Sequence, residues 1–172
     1  MSTFSARAIG TQRLELLPLH AEHAEEMATV LSDPALHDFT GGAPDTPAAL
    51  RSRYRRMIAG APDPAVSWLN WVIRLREASC LAGTVQATIG PSGDGLIAEI
   101  AWVVGTPWQG KGIATEAALA LVDWLGQQPI YGIIAHIHPG HRASAGVATA
   151  VGLAPTDEWQ DGEILWRRIV RG

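Results

Sequence analysis

The chain carries one cysteine in 172 residues, Cys80. A single thiol excludes an intramolecular disulfide, offers no cysteine-spaced metal site and suits a reducing compartment. No uninterrupted apolar run approaches the roughly 20 residues that a membrane span needs. The first residues include Arg7 but no long apolar stretch, so they do not read as a secretion signal. A cytoplasmic protein without a membrane partner is therefore expected. Excess positive charge is also missing: 13 Lys and Arg stand against 17 Asp and Glu. That balance excludes a nucleic-acid surface as the leading reading and suits a cationic ligand such as an amine. There is no low-complexity tract and no repeat period. What is present is 47% hydrophobic, enough to fill one core, and a single domain over residues 1–172 is expected.

Periodicity orders the elements. Leu14 to Leu19 reads as a strand, and Ala21 to Leu31 as a helix with Ala24, Met27, Ala28 and Leu31 on one face. Thr46 as N-cap and Pro47 at the first helical position start a helix that runs to Ala59. Strands are predicted at Trp68 to Arg76, Leu81 to Ile89 and Leu96 to Val104, with Gly90 to Gly95 as a hairpin loop before the last of these. After a helix that starts near Gly112 come a strand from Ile130 to Ile137, a helix from Ala143 to Val151 and a strand from Gly162 to Val170. Helices between the later strands require a crossover and parallel pairing, whereas the middle strands form an antiparallel meander. The expected class is α/β (α+β): a mixed, mostly antiparallel central sheet flanked by helices.

The most informative segment is Trp108-Gln109-Gly110-Lys111-Gly112-Ile113-Ala114, a glycine-punctuated turn between an apolar strand and an amphipathic helix. The first turn of a helix exposes unpaired N–H groups and the positive end of its dipole. Gly110 and Gly112 let that main chain approach an anion with no Cβ in the way. The dinucleotide fingerprint does not fit, because Thr115 stands where its third glycine belongs, and the P-loop does not fit, because Lys111 lies between the glycines.

Gln109, Gly112 and Ala114 instead occupy the three defining positions of the Q/R-x-x-G-x-G/A signature, and the segment resembles the pyrophosphate turn of the GNAT superfamily of N-acyltransferases. Gln12 to Leu19, Leu31-Ser32-Asp33-Pro34, Phe39-Thr40-Gly41 and the stretch from His141 through Ser144 to Val151-Gly152-Leu153 are similar to landmarks of its ribosomal-protein N-terminal acetyltransferase branch. The chain departs at His141, where the branch usually has Asn, and at Ala148, where many members carry Tyr. The resemblance implies a GNAT-like fold with a splayed acyl-CoA-binding strand pair. It also implies acetyl-CoA as co-substrate, held by Gln109, Gly110, Lys111, Gly112, Ile113 and Ala114 and by the main chain of Val103 and Val104 pairing with the pantetheine arm. His141 would hold the cofactor arm or a backbone carbonyl. In this family the strand ending at Val104 commonly bulges, freeing an N–H for the thioester oxygen.

Acetyl transfer to an amine needs a base, because an alkyl ammonium has a pKa of about 10.4. Glu99 is the only acid in the run from Leu96 to Val104 and shares a strand face with Ala101 and Val103. Its alternatives are a solvated face or an ion pair with an Arg on a neighbouring strand. Glu163, at the start of the last strand, is the second acid, or an ordinary hairpin-edge charge. The departing thiolate needs a donor. With Ala148 at the tyrosine position, Ser144 is the candidate; its structural alternative is to cap the helix that begins there.

His136, His138 and His141 raise a metal reading, but no carboxylate lies near them in sequence and the reaction needs no metal. Seven tryptophans stand in the chain. Trp68, Trp71, Trp102, Trp159 and Trp166 are candidates for an acceptor wall, and Trp108 for packing beneath the turn. The acceptor is an amine, on a small molecule or a protein N-terminus, and a homodimer stays open. The alternative from another class is a catalytically silent coenzyme A-binding sensor or assembly module.

Overall fold

The computed structural model describes residues 4–170, so the outermost residues of the expected 1–172 span lie outside the described residues. Eight strands form one sheet: β1 (Ile9–Gly10), β2 (Leu14–Pro18), β3 (Ser67–Leu75), β4 (Cys80–Ser92), β5 (Gly95–Val104), β6 (Gly132–Ile137), β7 (Ala154–Gln160) and β8 (Glu163–Ile169), in the order β1-β2-β3-β4-β5-β6-β8-β7. Four α-helices accompany them: α1 (Ala24–Val30), α2 (Pro47–Ala59), α3 (Ile113–Leu125) and α4 (Arg142–Ala150). Every neighbouring pair is antiparallel except β5 and β6. The expected mixed α+β sheet is what the chain forms, with one crossover from β5 to β6 through α3 and a second from β6 to β7 through α4, over the place that β8 fills.

The helices cover opposite faces. On one, α3 buries Ile113, Ala117, Leu121 and Leu125 with Val147, Ala148 and Val151 of α4 over Ile100, Ala98 and Ile133. On the other, α1 and α2 bury Met27, Val30, Leu50 and Tyr54 against Val72 and Leu81. Burying a leucine or isoleucine side chain stabilises by about 1.5–3 kcal/mol, so these stripes anchor each helix. Thr46 caps α2 by accepting the Ala49 N–H at 3.2 Å, with Pro47 at the first helical position.

Several boundaries differ from the sequence reading, each for a physical reason. The helix expected from Ala21 opens as a 3-10 turn over Ala21–His23, where the His20 N–H donates to His23 Nδ1 at 2.9 Å. Gly90 to Gly95 is not a six-residue loop: β4 continues to Ser92, and only Gly93 and Asp94 turn the chain before Gly95 pairs with Ser92. Pro91 is tolerated because β3 stops pairing at Ile89, which leaves β4 with a free edge for a residue that lacks an N–H. Strand β7 has almost uniformly exposed residues and pairs only with β8. An edge strand with no buried face leaves no alternation to read.

The sheet opens between β5 and β6. Their parallel pairing covers only Ile97 to Glu99 against Gly132 to Ile134, after which both strands continue apart. This is the splayed pair, and the candidate site is built around it.

Candidate active site

Beyond the splay, β5 runs into the glycine turn. A one-turn 3-10 segment, Thr106–Trp108, leads to Gly110 and Gly112 at φ +74° and +76°. Both lie in the left-handed region where glycine is favoured. Gly112 is the N-cap of α3 with no side-chain cap, so the first N–H groups of that helix have no intrahelical acceptor and face an incoming anion. The Ile113 side chain is buried, and Lys111 is exposed. Gln109 is turned inward: its Nε2 donates to the Val104 carbonyl at 3.0 Å, pinning the turn to the end of β5. Trp108 packs against both cores beneath it.

Arg13, nearly a hundred residues away in sequence, is the residue sequence reasoning missed. Its Nη1 donates to the Lys111 carbonyl at 3.0 Å, and its Nε bonds Glu116 at 2.7 Å. Its Nη2 lies 3.4 Å from where a Gly112 Cβ would stand, so a guanidinium sits beside the cradle. Glu116 also accepts from Thr11 Oγ1 at 2.5 Å. Partial burial works to raise the Glu116 pKa, but the hydrogen bonds from Thr11 and Arg13 hold it below the usual value. The acid in the first turn of α3 is thus neutralised rather than aimed at the anion site. No local pattern couples β2 to this turn; only the folded sheet does.

The main chain of β5 corrects one expectation. The Gly105 N–H donates to the Ala82 carbonyl at 2.8 Å, and the Val103 carbonyl points at Gly83, where a Cβ would lie 2.1 Å away. Val103 therefore turns its main chain toward β4. Alternation then aims the main chain of Trp102 and Val104 at the splay and turns that of Val103 away from it. The expected bulge is absent from β5: β4 and β5 pair one to one from Ser92–Gly95 to Gly83–Val104, and the irregularity in this part of the sheet lies between β3 and β4, where Ile73 pairs with Gly83 and Arg74 with Leu81, leaving Ala82 of β4 as the extra residue.

Beside the splay is a cleft of about 470 Å³ that reaches from α1 and α2 across β3, β4 and β5 to β6, α4 and β8. Ser144, His141 and Glu163 line it, and so does the Val103 side chain. Glu99 does not line it: its carboxylate lies 3.1 Å from His136 Nδ1, and His136 is the residue that faces the cleft. Ser144 is not the helix cap. His141 is the N-cap of α4, its Nδ1 accepting the Ser144 N–H at 3.4 Å while its Nε2 lies 3.1 Å from Ser144 Oγ. Phe39 stacks on the His141 ring at 4.6 Å. Burial, and then the neighbouring His138, push the His141 pKa down.

The three histidines of the metal reading serve different partners, since His138 Nδ1 accepts the Gly140 N–H at 2.9 Å. No group of three potential ligands is arranged for a metal among the described residues. Of the tryptophans, Trp71 and Trp102 line the cleft, whereas Trp159 is exposed far from it and Trp166 packs against the core.

At the far end of the cleft, Asn70 and Gln86 are cross-strand partners, and Gln86 is in register with Ala101. Above them the Tyr54 hydroxyl is the one buried side-chain polar atom without a hydrogen-bond partner among the described residues. Burial pushes its pKa up to about 12, so it is a neutral donor. Asp45 and Arg53, also lining the cleft, neutralise each other at 3.4 Å.

A sheet splayed beside a glycine cradle defines the class of acyl-carrier-dependent transferases, and solved structures share the architecture. The GNAT-family acetyltransferase from Bacillus anthracis superposes with a TM-score of 0.77 at 18% identity, covering 95% of this chain and 99% of that one. RimL, a ribosomal alpha-N-protein acetyltransferase in complex with coenzyme A, gives 0.78 at 18% identity over 95% and 98%. The microcin self-immunity acetyltransferase MccE, in complex with acetyl-CoA and AMP, gives 0.74 at 18% over 92% and 93%. A search of curated proteins gave no match. In sequence, the acetyltransferase (GNAT) domain family matches residues 13–154, and the chain belongs to that family. The chemistry of the family is acetyl transfer from acetyl-CoA. No helix among the described residues is long and apolar enough to cross a membrane.

Proposed function

We propose that this chain is an acetyl-CoA-dependent N-acetyltransferase, residues 1–172 acting as one domain, that moves the acetyl group directly to a primary amine in a ternary complex. The carrying observation is that one cleft beside the β5–β6 splay is lined by Ser144, His141, His136 and Glu163, at the same C-terminal end of the parallel pair from which β5 runs into the glycine turn. The turn from Gln109 to Ala114 holds the pyrophosphate through main-chain N–H groups, with Arg13 and Lys111 as flanking cations. The edge of β5 that β6 leaves open, at Trp102 and the Val104 N–H, takes the pantetheine arm as an added strand. The thioester then reaches the level of Ser144.

The acceptor enters from the side of α1 and α2. Tyr54, Asn70 and Gln86 suit an amine whose neighbouring groups are neutral hydrogen bonders, as on a protein N-terminus or a small polar amine. A polycation would call for several unpaired acids, and Glu163 is the one acid lining the cleft that has no ion pair among the described residues. A reducing cytoplasm suits the single free thiol of Cys80.

Calorimetry with coenzyme A, followed by a thiol-release assay over a panel of amines, tests the reading. Binding with turnover on at least one primary amine is expected. Binding without turnover on any amine would favour the silent sensor, and no heat with coenzyme A would remove both.

A further inference from the structure

Two histidines on the cleft wall are held by partners of opposite hydrogen-bonding character. The β5–β6 register pairs Glu99 with Ile134, so two residues further along β6 His136 returns to the same face. Its Nδ1 lies 3.1 Å from Glu99 Oε2. An ionised carboxylate only accepts, so Nδ1 carries the proton and the neutral ring is left with a lone pair on Nε2. The side chains differ in access in the same sense: Glu99 is 49% exposed to bulk solvent, His136 only 16%, and His136 is the one that lines the cleft.

At His141 the pattern is inverted. The Ser144 N–H can only donate, so the Nδ1 it reaches at 3.4 Å is bare. The proton of that neutral ring is on Nε2, which donates to Ser144 Oγ at 3.1 Å. Ser144 therefore cannot spend its own hydroxyl proton on His141, and that proton is free to point into the cleft. Phe39, stacked 24° from parallel, fixes the ring plane. Burial keeps the ring in its neutral form.

We propose that these two locked, opposite tautomers divide the proton work: His136 Nε2 is the base that deprotonates the acceptor ammonium, and Ser144, oriented by His141, is the donor to the departing sulfur. Glu99 and His141 are positioning residues. This rests on the acetyltransferase reading above. In the balanced step, the ammonium gives one proton to His136 Nε2, and the nitrogen lone pair forms the C–N bond at the thioester carbonyl. Collapse of the tetrahedral adduct breaks the C–S bond. The second nitrogen proton passes to sulfur through the Ser144 hydroxyl, which gives one proton and takes the other. The products are the amide, coenzyme A thiol and one proton on His136, released to solvent.

The charged and titratable groups around His136 are Glu99 from β5, Glu163 and Arg167 from β8, His138 on its own segment, and His37 and His141 across the cleft. Arg167 is engaged by Glu158, so Glu163 is the competing base.

The test reads tautomers and rates on the full chain. Long-range proton–nitrogen correlation spectra with coenzyme A bound should show the Nδ1–H tautomer for His136 and the Nε2–H tautomer for His141; either reversed overturns the proposal. His136→Gln should lower kcat about 100-fold with coenzyme A affinity unchanged. Glu99→Gln should lower kcat about tenfold, because an amide, which can donate as well as accept, no longer holds His136 in the Nδ1–H tautomer. His141→Ala should lower kcat about 20-fold, while His141→Asn, which can still cap α4, recovers most of it. If His136→Gln stays within about threefold of wild type and Glu163→Gln removes the acid limb of the pH profile, Glu163 is the base and the proposal falls. If wild type releases no thiol with any amine, the enzyme reading falls instead, and the spectra still decide the tautomers.

Discussion

The two halves of the site are made of different material. The proposed donor half, Gln109 to Ala114, is a contiguous turn that presents main-chain N–H groups held open by two left-handed glycines. The acceptor half is assembled from side chains on β3 to β6, β8, α2, α4 and the loop carrying Phe39. A site built of backbone tolerates changes of side chain but not of backbone conformation. A site built of side chains has the opposite sensitivity, and this contrast can be tested at single residues.

The largest effect is expected at Gly112→Asp, which places a Cβ at φ +76° beside Arg13 and a carboxylate in the anion cradle. Coenzyme A binding should weaken by about 100-fold or more, equivalent to about 2.7 kcal/mol, as read by calorimetry. Undiminished affinity would move the phosphates elsewhere. Ser144→Ala should lower kcat about 50-fold while leaving coenzyme A affinity in place, the mirror image of the glycine variant. Arg13→Ala removes the hydrogen bond to the Lys111 carbonyl and the guanidinium partner of Glu116, which keeps its bonds from Thr11 and the main-chain N–H of residue 13. Coenzyme A should then bind about five- to tenfold more weakly, through loosening of the turn and loss of a flanking cation.

Acid pH should act on the side-chain half through His141. Its folded pKa is lowered, so the folded state takes up its proton less readily than the unfolded chain. The stability it contributes is present above the unfolded value of about 6.5 and is lost as pH falls through the lower folded value. The melting temperature should decline through this window, and His141→Asn should flatten the decline. The smallest effect belongs to Tyr54→Phe, which deletes an unpartnered buried hydroxyl. The melting temperature should hold or rise, while KM for the acceptor increases about threefold and coenzyme A affinity stays fixed.

The same contrast explains what the sequence disclosed. The α2 start was legible because Thr46 and Pro47 carry their own conformational preferences, and the glycine turn because Gly110 and Gly112 do. The crossover was legible because α3 has a clean apolar stripe between two strands. The pairing of His136 with Glu99 was not, because it depends on a three-residue parallel register across 37 positions. Arg13 was invisible for the same reason, and β7 because an exposed edge strand has no periodicity. Glu99 stands out as the one acid in its strand, but its carboxylate contacts His136, not an Arg, and does not itself line the cleft.

The glycine turn has a further consequence. Lys111, exposed between Gly110 and Gly112, is the only lysine in the sequence. An enzyme of this family works on amines while carrying its own, yet this chain offers a single ε-amino group to stray acylation, and it sits at the mouth of the donor cradle. Any non-enzymatic acetylation of a lysine side chain by a reactive thioester converges on that one residue, where it would erase a positive charge beside the phosphates. An amine-directed label would, for the same reason, give a lysine-borne reporter of cofactor occupancy at a single address.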